Sequence, residues 1–216
     1  MDNFVITISR GYGSGGRSIG ILLSKMLGVE YYDRDIIRMA SDESGINETL
    51  FAQSDEKVKA SARIRSAGGP NYSGGLISPE SPSFISDANL YNYQARIIRE
   101  LADRESCIII GRASDYLLQN HPRTIHVNIQ AEFDDCVRSV MQVTGLPEKD
   151  AQKAVRKTDK ARADFYYYYT GRRWDDELNY DLTLNTSRMS RELCARTIIA
   201  YLEMKLGITL DVKDPN

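Results

Sequence analysis

The 216-residue chain is poor in the residues that would place it in several large classes of protein. Cysteine occurs three times, at Cys107, Cys136 and Cys194. An odd number of thiols, widely spaced and in apolar surroundings, gives neither a disulfide framework nor zinc-ligand spacing, so core thiols are expected. The two histidines, His121 and His126, share no ligand spacing and read as structural or surface residues. The longest aliphatic run, Cys107 to Ile110, is far too short to span a bilayer. Net charge is nearly absent too: 28 Lys and Arg stand against 30 Asp and Glu, a formal charge of −2. That argues against a protein held on nucleic acid by bulk electrostatics, and any bound anion must be gripped locally. Met1-Asp2-Asn3-Phe4 shows no basic region ahead of an apolar stretch, so a soluble cytoplasmic protein is expected, with no membrane partner.

What is present suffices for one core: 42% of the residues are hydrophobic. Phe4 to Ile8 reads as a buried strand, followed by Ile19, Leu22, Leu23, Met26 and Leu27 at helical spacing and a stop at Gly28. After the short strand Val29 to Tyr32, Asp33 is an N-cap candidate for a helix ending at Gly45. A polar helical stretch follows from about Asn47 to Ala67, and Gly68 to Ser83 turns to Gly, Pro, Ser and Asn, the composition of a mobile insertion or a functional flap. Asp87 opens a helix with Leu90, Tyr93, Ile97, Ile98 and Leu101 on one face, leading into the strand Ser106 to Ile110 and then Gly111-Arg112. Thr124 to Ile129 is a strand, Ala131 to Val143 a helix, and Pro147 fits the first position of a helical region reaching Thr170. Tyr180 to Leu184 reads as the last strand, and Ser190 caps a closing helix with Leu193, Thr197, Tyr201 and Met204 inward, stopped by Gly207. This alternation implies an α/β fold, a parallel sheet with helices on both faces, whose ligand site lies beyond the carboxyl ends of the strands.

The first strand and helix are joined by Gly11-Tyr12-Gly13-Ser14-Gly15-Gly16-Arg17-Ser18, which fits Gly, four residues, Gly, a cation and a hydroxyl, with Arg17 where lysine is usual. Glycines let backbone N–H groups turn inward around phosphate oxygens, and the following helix adds the positive end of its dipole. Ser18 is then a magnesium ligand. Gly11, Gly13 and Gly16 also fit the dinucleotide fingerprint, with its ribose-binding acid expected near Asp33. The loop alone leaves both readings open.

With Ile6-Thr7-Ile8-Ser9-Arg10 ahead of that loop, then Tyr31-Tyr32-Asp33-Arg34-Asp35, Gly111-Arg112 and Tyr180-Asp181-Leu182-Thr183-Leu184-Asn185-Thr186, the chain resembles the cytidylate kinase-like family of P-loop nucleoside monophosphate kinases. The resemblance implies one P-loop kinase-like domain over residues 1–216 with a monophosphate-binding insertion at about 33–95 and a helical lid at about 147–178. It implies transfer of the terminal phosphoryl of ATP, with Mg2+, to a nucleoside monophosphate or similar small phosphorylated acceptor. Residue by residue, Gly11 to Ser18 match the ATP phosphate loop, Asp33 the acidic start of the monophosphate-binding helix, Arg112 an acceptor-site arginine, and Asp159 and Arg162 the Asp-x-x-Arg of the lid. Arg156 lies one residue from the position at which the family has a further lid arginine, and Ala113 stands where cytidylate kinases have a base-reading aspartate, with Ser114 and Asp115 after it.

Such transfer needs alignment and charge neutralisation more than covalent help, because the acceptor oxygen is already anionic. Arg17, Arg156 and Arg162 are the catalytic candidates, with Arg112, Arg172 and Arg173 as further cations. Alternatives are a nucleotide-binding or sensing module without turnover and, from the fingerprint, a dinucleotide-dependent oxidoreductase. The run Phe165-Tyr166-Tyr167-Tyr168-Tyr169 cannot lie on one helical face, so it is expected to pack on the sheet, form a homo-oligomer contact or stack a base.

Overall fold

The computed structural model describes residues 3–61 and 75–214. Five strands, β1 (Val5–Arg10), β2 (Glu30–Tyr32), β3 (Cys107–Ile110), β4 (Thr124–Gln130) and β5 (Leu182–Asn185), form one sheet in the order β2-β3-β1-β4-β5. Every pairing is parallel. The helices are α1 (Gly16–Leu27), α2 (Asp35–Ser44), α3 (Glu48–Ser61), α4 (Asp87–Arg104), α5 (Ser114–Leu117), α6 (Phe133–Thr144), α7 (Glu148–Thr170) and α8 (Arg191–Leu206).

Because successive strand residues point to opposite faces, the near-continuous apolar strands feed two cores. Val5, Cys107 and Ile109 face one, against Ile36 of α2, Phe51 of α3, and Ile98 and Leu101 of α4. Ile6, Ile8, Ile108 and Ile110 face the other, against Ile19 and Leu23 of α1 and Ile198 and Leu202 of α8. A smaller cluster joins α6 to α7 through Cys136, Val140, Ala151 and Val155. All three cysteines are free and buried, as their apolar settings imply. The fold class read from the sequence is the one observed. Since β3 lies between β1 and β2, the strand order is not the 3-2-1-4-5 of dinucleotide folds, where the acid-bearing second strand adjoins the first. The oxidoreductase reading loses its structural basis there.

Several local expectations need correction. β1 extends to Arg10, because pairing with β4 continues to Arg10 opposite Ile129. Asp33 is not an N-cap: Arg34 holds that position in α2 with no side-chain cap, and Asp33 is instead drawn to Arg10 and Arg17. Pro147 is the N-cap of α7, one residue before the helix proper. In α8 the expected face is turned outward, with Leu193 51% and Met204 75% exposed, while Cys194, Ala195, Ile198, Ile199 and Leu202 are buried. The polar helix is seen as α3, and its expected continuation to Ala67 lies outside the described residues. So does the first part of the Gly68 to Ser83 segment. Its later part is pinned to α4: buried Asn92 donates to the Gly75 carbonyl (2.6 Å), and buried Asn89 accepts from the Ile77 N–H (2.8 Å) and donates to the Phe84 carbonyl (2.7 Å).

Candidate active site

The carboxyl ends of β1 and β3 deliver the two segments on which the site is built. From β1 the chain passes through the glycine-rich loop into α1. Gly15, the N-cap of α1, is left-handed (φ 83°), makes no side-chain cap, and the first turn carries no acid. The free N–H ends and the dipole of α1 are thus left to an external anion. The loop is held from several sides. Ser14 donates through its hydroxyl to the Gly11 carbonyl (2.9 Å), Thr186 donates to the Ser14 carbonyl (2.8 Å), and the Tyr12 N–H donates to Asp159 Oδ1 at 2.7 Å. Ser18 is exposed on the first turn. Among the described residues no group of three or more His, Cys, Asp or Glu is placed to hold a metal. The exposed Ser18 hydroxyl at the end of the loop could serve a magnesium ion whose remaining positions are filled by phosphate oxygens and water, an arrangement that suits this ion.

Arg17 does not reach over the loop. Its Nε lies 3.3 Å from Asp33 Oδ2, and its side chain is 66% exposed.

After β3 the backbone makes three consecutive left-handed residues, Gly111, Arg112 and Ala113, at φ 69°, 63° and 52°. The two non-glycine residues store strain of about 1–3 kcal/mol each. The Tyr91 hydroxyl donates to the Arg112 carbonyl at 3.3 Å, and the Ser114 N–H to the Gly111 carbonyl at 3.0 Å. The chain then enters α5, where Asp115 is buried and accepts from the Tyr166 hydroxyl at 2.5 Å. Burial pushes the Asp115 carboxyl up to about 6 against the opposing pull of that hydrogen bond. The same burial raises the Tyr166 phenol, with Asp115 adding to it.

Helix α7 covers both segments. Ala154, Lys157, Thr158, Ala161, Arg162 and Phe165 recur at three- and four-residue spacing and line a single cavity, the two alanines leaving its space open. Arg162 donates to the Arg10 carbonyl at 2.9 Å and pairs with Asp159 at 3.4 Å. Burial raises the Asp159 carboxyl and lowers the Arg162 guanidinium, and in each case the partner opposes the shift. Trp174, beyond α7, donates from its indole to Ser9 Oγ at 2.7 Å, and the Tyr180 hydroxyl donates to the Trp174 carbonyl at 2.8 Å.

The cavity, open to solvent on one side, measures about 470 Å³ and is lined by Arg10, Arg34, Arg112, Lys157 and Arg162 together with Asp33 and Asp115. Five cations thus face two carboxylates, while Phe165, Tyr166 and Trp174 supply aromatic walls. A second cavity of about 330 Å³ lies against the loop itself, with Gly13, Ser14, Asp135, Thr186, Ser187 and Arg191 among its walls. The Arg191 guanidinium lies so close to Gly15 that a Cβ there would stand 3.0 Å from its Nε.

Of the residues singled out from the sequence, Asp33, Arg112 and Arg162 meet in the larger cavity, whereas Asp159 fastens α7 to the loop. Arg156 is not brought to either cavity. Its guanidinium sits 4.5 Å above the Phe133 ring, because it lies on the α6 side of α7. Arg172 lies over Tyr116 and donates to Gln119, and Arg173 pairs with Asp175. The tyrosine run packs mainly against α4, where Tyr169 stacks on Tyr91 with ring centres 3.7 Å apart, while Tyr167 remains exposed. Sequence reasoning missed Arg10, Arg34, Lys157, Trp174 and Arg191. For Arg10 a signal existed, since a cation closing a buried strand is the same cue that drew attention to Arg112.

Comparison with solved structures agrees with this architecture. A protein from Eubacterium ventriosum superposes with a TM-score of 0.67 at 21% identity, covering 93% of this chain and 99% of that one. A shikimate kinase from Bacteroides thetaiotaomicron gives 0.50 at 11% identity (95% and 99% covered), and a gluconokinase from Sinorhizobium meliloti gives 0.50 at 15% (94% of each). These likenesses show the fold. No curated protein matches the chain. No described helix is long and apolar enough to cross a membrane. The model of the cytidylate kinase-like family matches residues 5–188, and the chain, with its glycine-rich loop and parallel five-stranded sheet, belongs to that family of kinase-type phosphotransferases.

Proposed function

We propose that the protein transfers the terminal phosphoryl of ATP, with magnesium, to a nucleoside monophosphate or a similar small phosphorylated acceptor. The observation that carries this reading is the pair of cavities at the carboxyl end of β1, the larger bordered by Ser9 and Arg10 with five cations against two carboxylates, the smaller bordered by Gly13 and Ser14 of the glycine-rich loop. An anionic acceptor oxygen needs no general base, so cations and alignment suffice. In this reading Gly11 to Ser18 cradle the triphosphate of ATP, Arg17 is the loop's cation, and Ser18 ligates magnesium. Bound magnesium neutralises charge on the phosphates. The smaller cavity takes the donor nucleoside, with Arg191 beside it. Arg112 and Arg162 bind the acceptor, and Asp33 bounds its pocket. Asp159 keeps α7 on the loop, so that lid and loop move together. The segment 33–95, with α2, α3 and the start of α4, is the acceptor-binding insertion, and 147–178, containing α7, is the lid that excludes water. The acceptor is proposed as small because the cavity is of ligand-pocket size.

One observation favours a second reading, a nucleotide-binding module without turnover: Arg17 is paired with Asp33 and turned away from the loop. The test is product analysis with purified protein, ATP and magnesium across a panel of nucleoside monophosphates, with chromatography for diphosphate. Diphosphate from one acceptor is expected. ATP binding without product from any acceptor would favour the module.

A further inference from the structure

Arg10 has no role in the reading carried over from the loop motif, yet it is a largely enclosed cation of the site. Its side chain is only 20% exposed, and its one ion-pair partner among the described residues, Asp33, stands 3.9 Å away. That carboxylate is closer to Arg17, at 3.3 Å, so Arg10 is poorly neutralised. The stem lies against the start of α1: a Cβ at Gly16 would come within 2.5 Å of Arg10 Cβ. The guanidinium lies over Gly111, where only the absence of a side chain makes room for it. Arg10 therefore crosses from the glycine-rich loop to the turn after β3, joining the two halves of the site. Its head lines the larger cavity with Arg112 and Arg162.

Burying a charge without a close partner is unfavourable, and like charges beside it add to the cost. Burial pulls the Arg10 guanidinium down to about 10, and Arg162 and Arg112 pull in the same direction. A doubly charged tetrahedral anion would relieve both effects, because it accepts hydrogen bonds from several planar forks at once. A singly charged carboxylate would neutralise less of the cavity's positive charge and offer fewer acceptor oxygens to the forks.

We propose that Arg10 is a phosphate-binding residue of the acceptor cavity, gripping the phosphate monoester of the acceptor together with Arg112 and Arg162. This rests on the phosphotransfer reading for what the bound phosphate is used for, but the binding itself is measurable without turnover. The chain's single tryptophan, Trp174, lines the same cavity and reports its occupancy.

The test titrates inorganic phosphate into the full chain, with and without a saturating nonhydrolysable ATP analogue and magnesium, and follows Trp174 emission. A saturable change is expected that chloride at equal ionic strength does not give. A nucleoside monophosphate should compete with phosphate, and the matching nucleoside should not. Arg10→Gln should weaken phosphate binding at least tenfold while changing affinity for the analogue, measured by calorimetry, less than twofold. Wild-type phosphate affinity in folded Arg10→Gln overturns the proposal, as does a wild-type protein that shows no saturable phosphate response or in which no monophosphate competes. Should Arg10→Gln fail to fold, Arg10→Lys decides: it keeps the charge and stem but loses the fork, so affinity lowered at least threefold supports the role and unchanged affinity overturns it. Failure of the analogue to bind, with the phosphate response intact, counts against the kinase reading and leaves the Arg10 assignment standing.

Discussion

Asp115 lines the larger cavity at the expense of its charge. Its carboxyl titrates at about 6 in the folded chain, against an ordinary value of 3.8, because burial outweighs the Tyr166 hydrogen bond. The folded state therefore binds the proton more tightly than the unfolded one, and the ionised carboxylate destabilises the fold above about pH 6, an effect that vanishes as pH falls below about 4. The shift corresponds to a stability difference on the order of 3 kcal/mol. His126 works in the opposite sense: burial lowers it from 6.5 to about 4, so its contribution is lost as pH falls through that range. Comparing wild type with Asp115→Asn isolates the carboxyl, since both proteins keep His126. Urea unfolding between pH 4 and 8 should show the variant gaining stability relative to wild type as pH rises, with most of the change between pH 4 and 7. A difference that does not vary with pH would contradict the burial argument.

At the scale of elements, the site depends on how α7 is fastened. Asp159 accepts the Tyr12 N–H, Arg162 donates to the Arg10 carbonyl, and the two pair with each other, so one turn of α7 is bonded to the loop after β1. Removing the acceptor from a half-buried, charge-assisted bond costs about 1–3 kcal/mol. Asp159→Ala should lose that much in urea unfolding, and Asp159→Asn, which still accepts from Tyr12, should lose less. Equal losses in the two variants, or none in Asp159→Ala, would mean the latch contributes little.

The elements were also legible to different degrees in the sequence. The apolar strands stand out because both faces of the sheet are covered, which leaves no polar alternation to confuse the pattern. The stop of α1 was legible because Gly28 adopts the left-handed cap. The face of α8 was not. Apolar residues occur all round that helix, and the bulky Leu193 and Met204 suggested a stripe, whereas the smaller Cys194 and Ala195 are the ones buried in the core that α8 shares with α1. The cavity was half legible for a related reason. Arg112 follows a buried strand and Arg162 sits in a recognisable spacing, but Trp174 meets Ser9 across 165 residues of sequence, a contact that no local pattern encodes. Arg156 failed because spacing on a long charged helix does not say which neighbour each face meets, and its neighbour is Phe133.

For the whole molecule, the sheet does two jobs through one edge. The parallel order β2-β3-β1-β4-β5 places β1 at the centre, so its carboxyl end adjoins both the segment after β3, where the larger cavity forms, and the segments after β4 and β5, where the second cavity forms. The end of β1, at Ser9 and Arg10, thereby borders the larger cavity, and the loop that follows it borders the smaller through Gly13 and Ser14, an adjacency that suits the proposed transfer of a group between two ligands. The fate of the terminal phosphoryl of ATP tests this most directly. With ATP labelled in that group, magnesium and a nucleoside monophosphate panel, the label should appear in the diphosphate formed from one acceptor, with little released as inorganic phosphate. Label that stays in ATP, or is released only to water with every acceptor, would contradict the account.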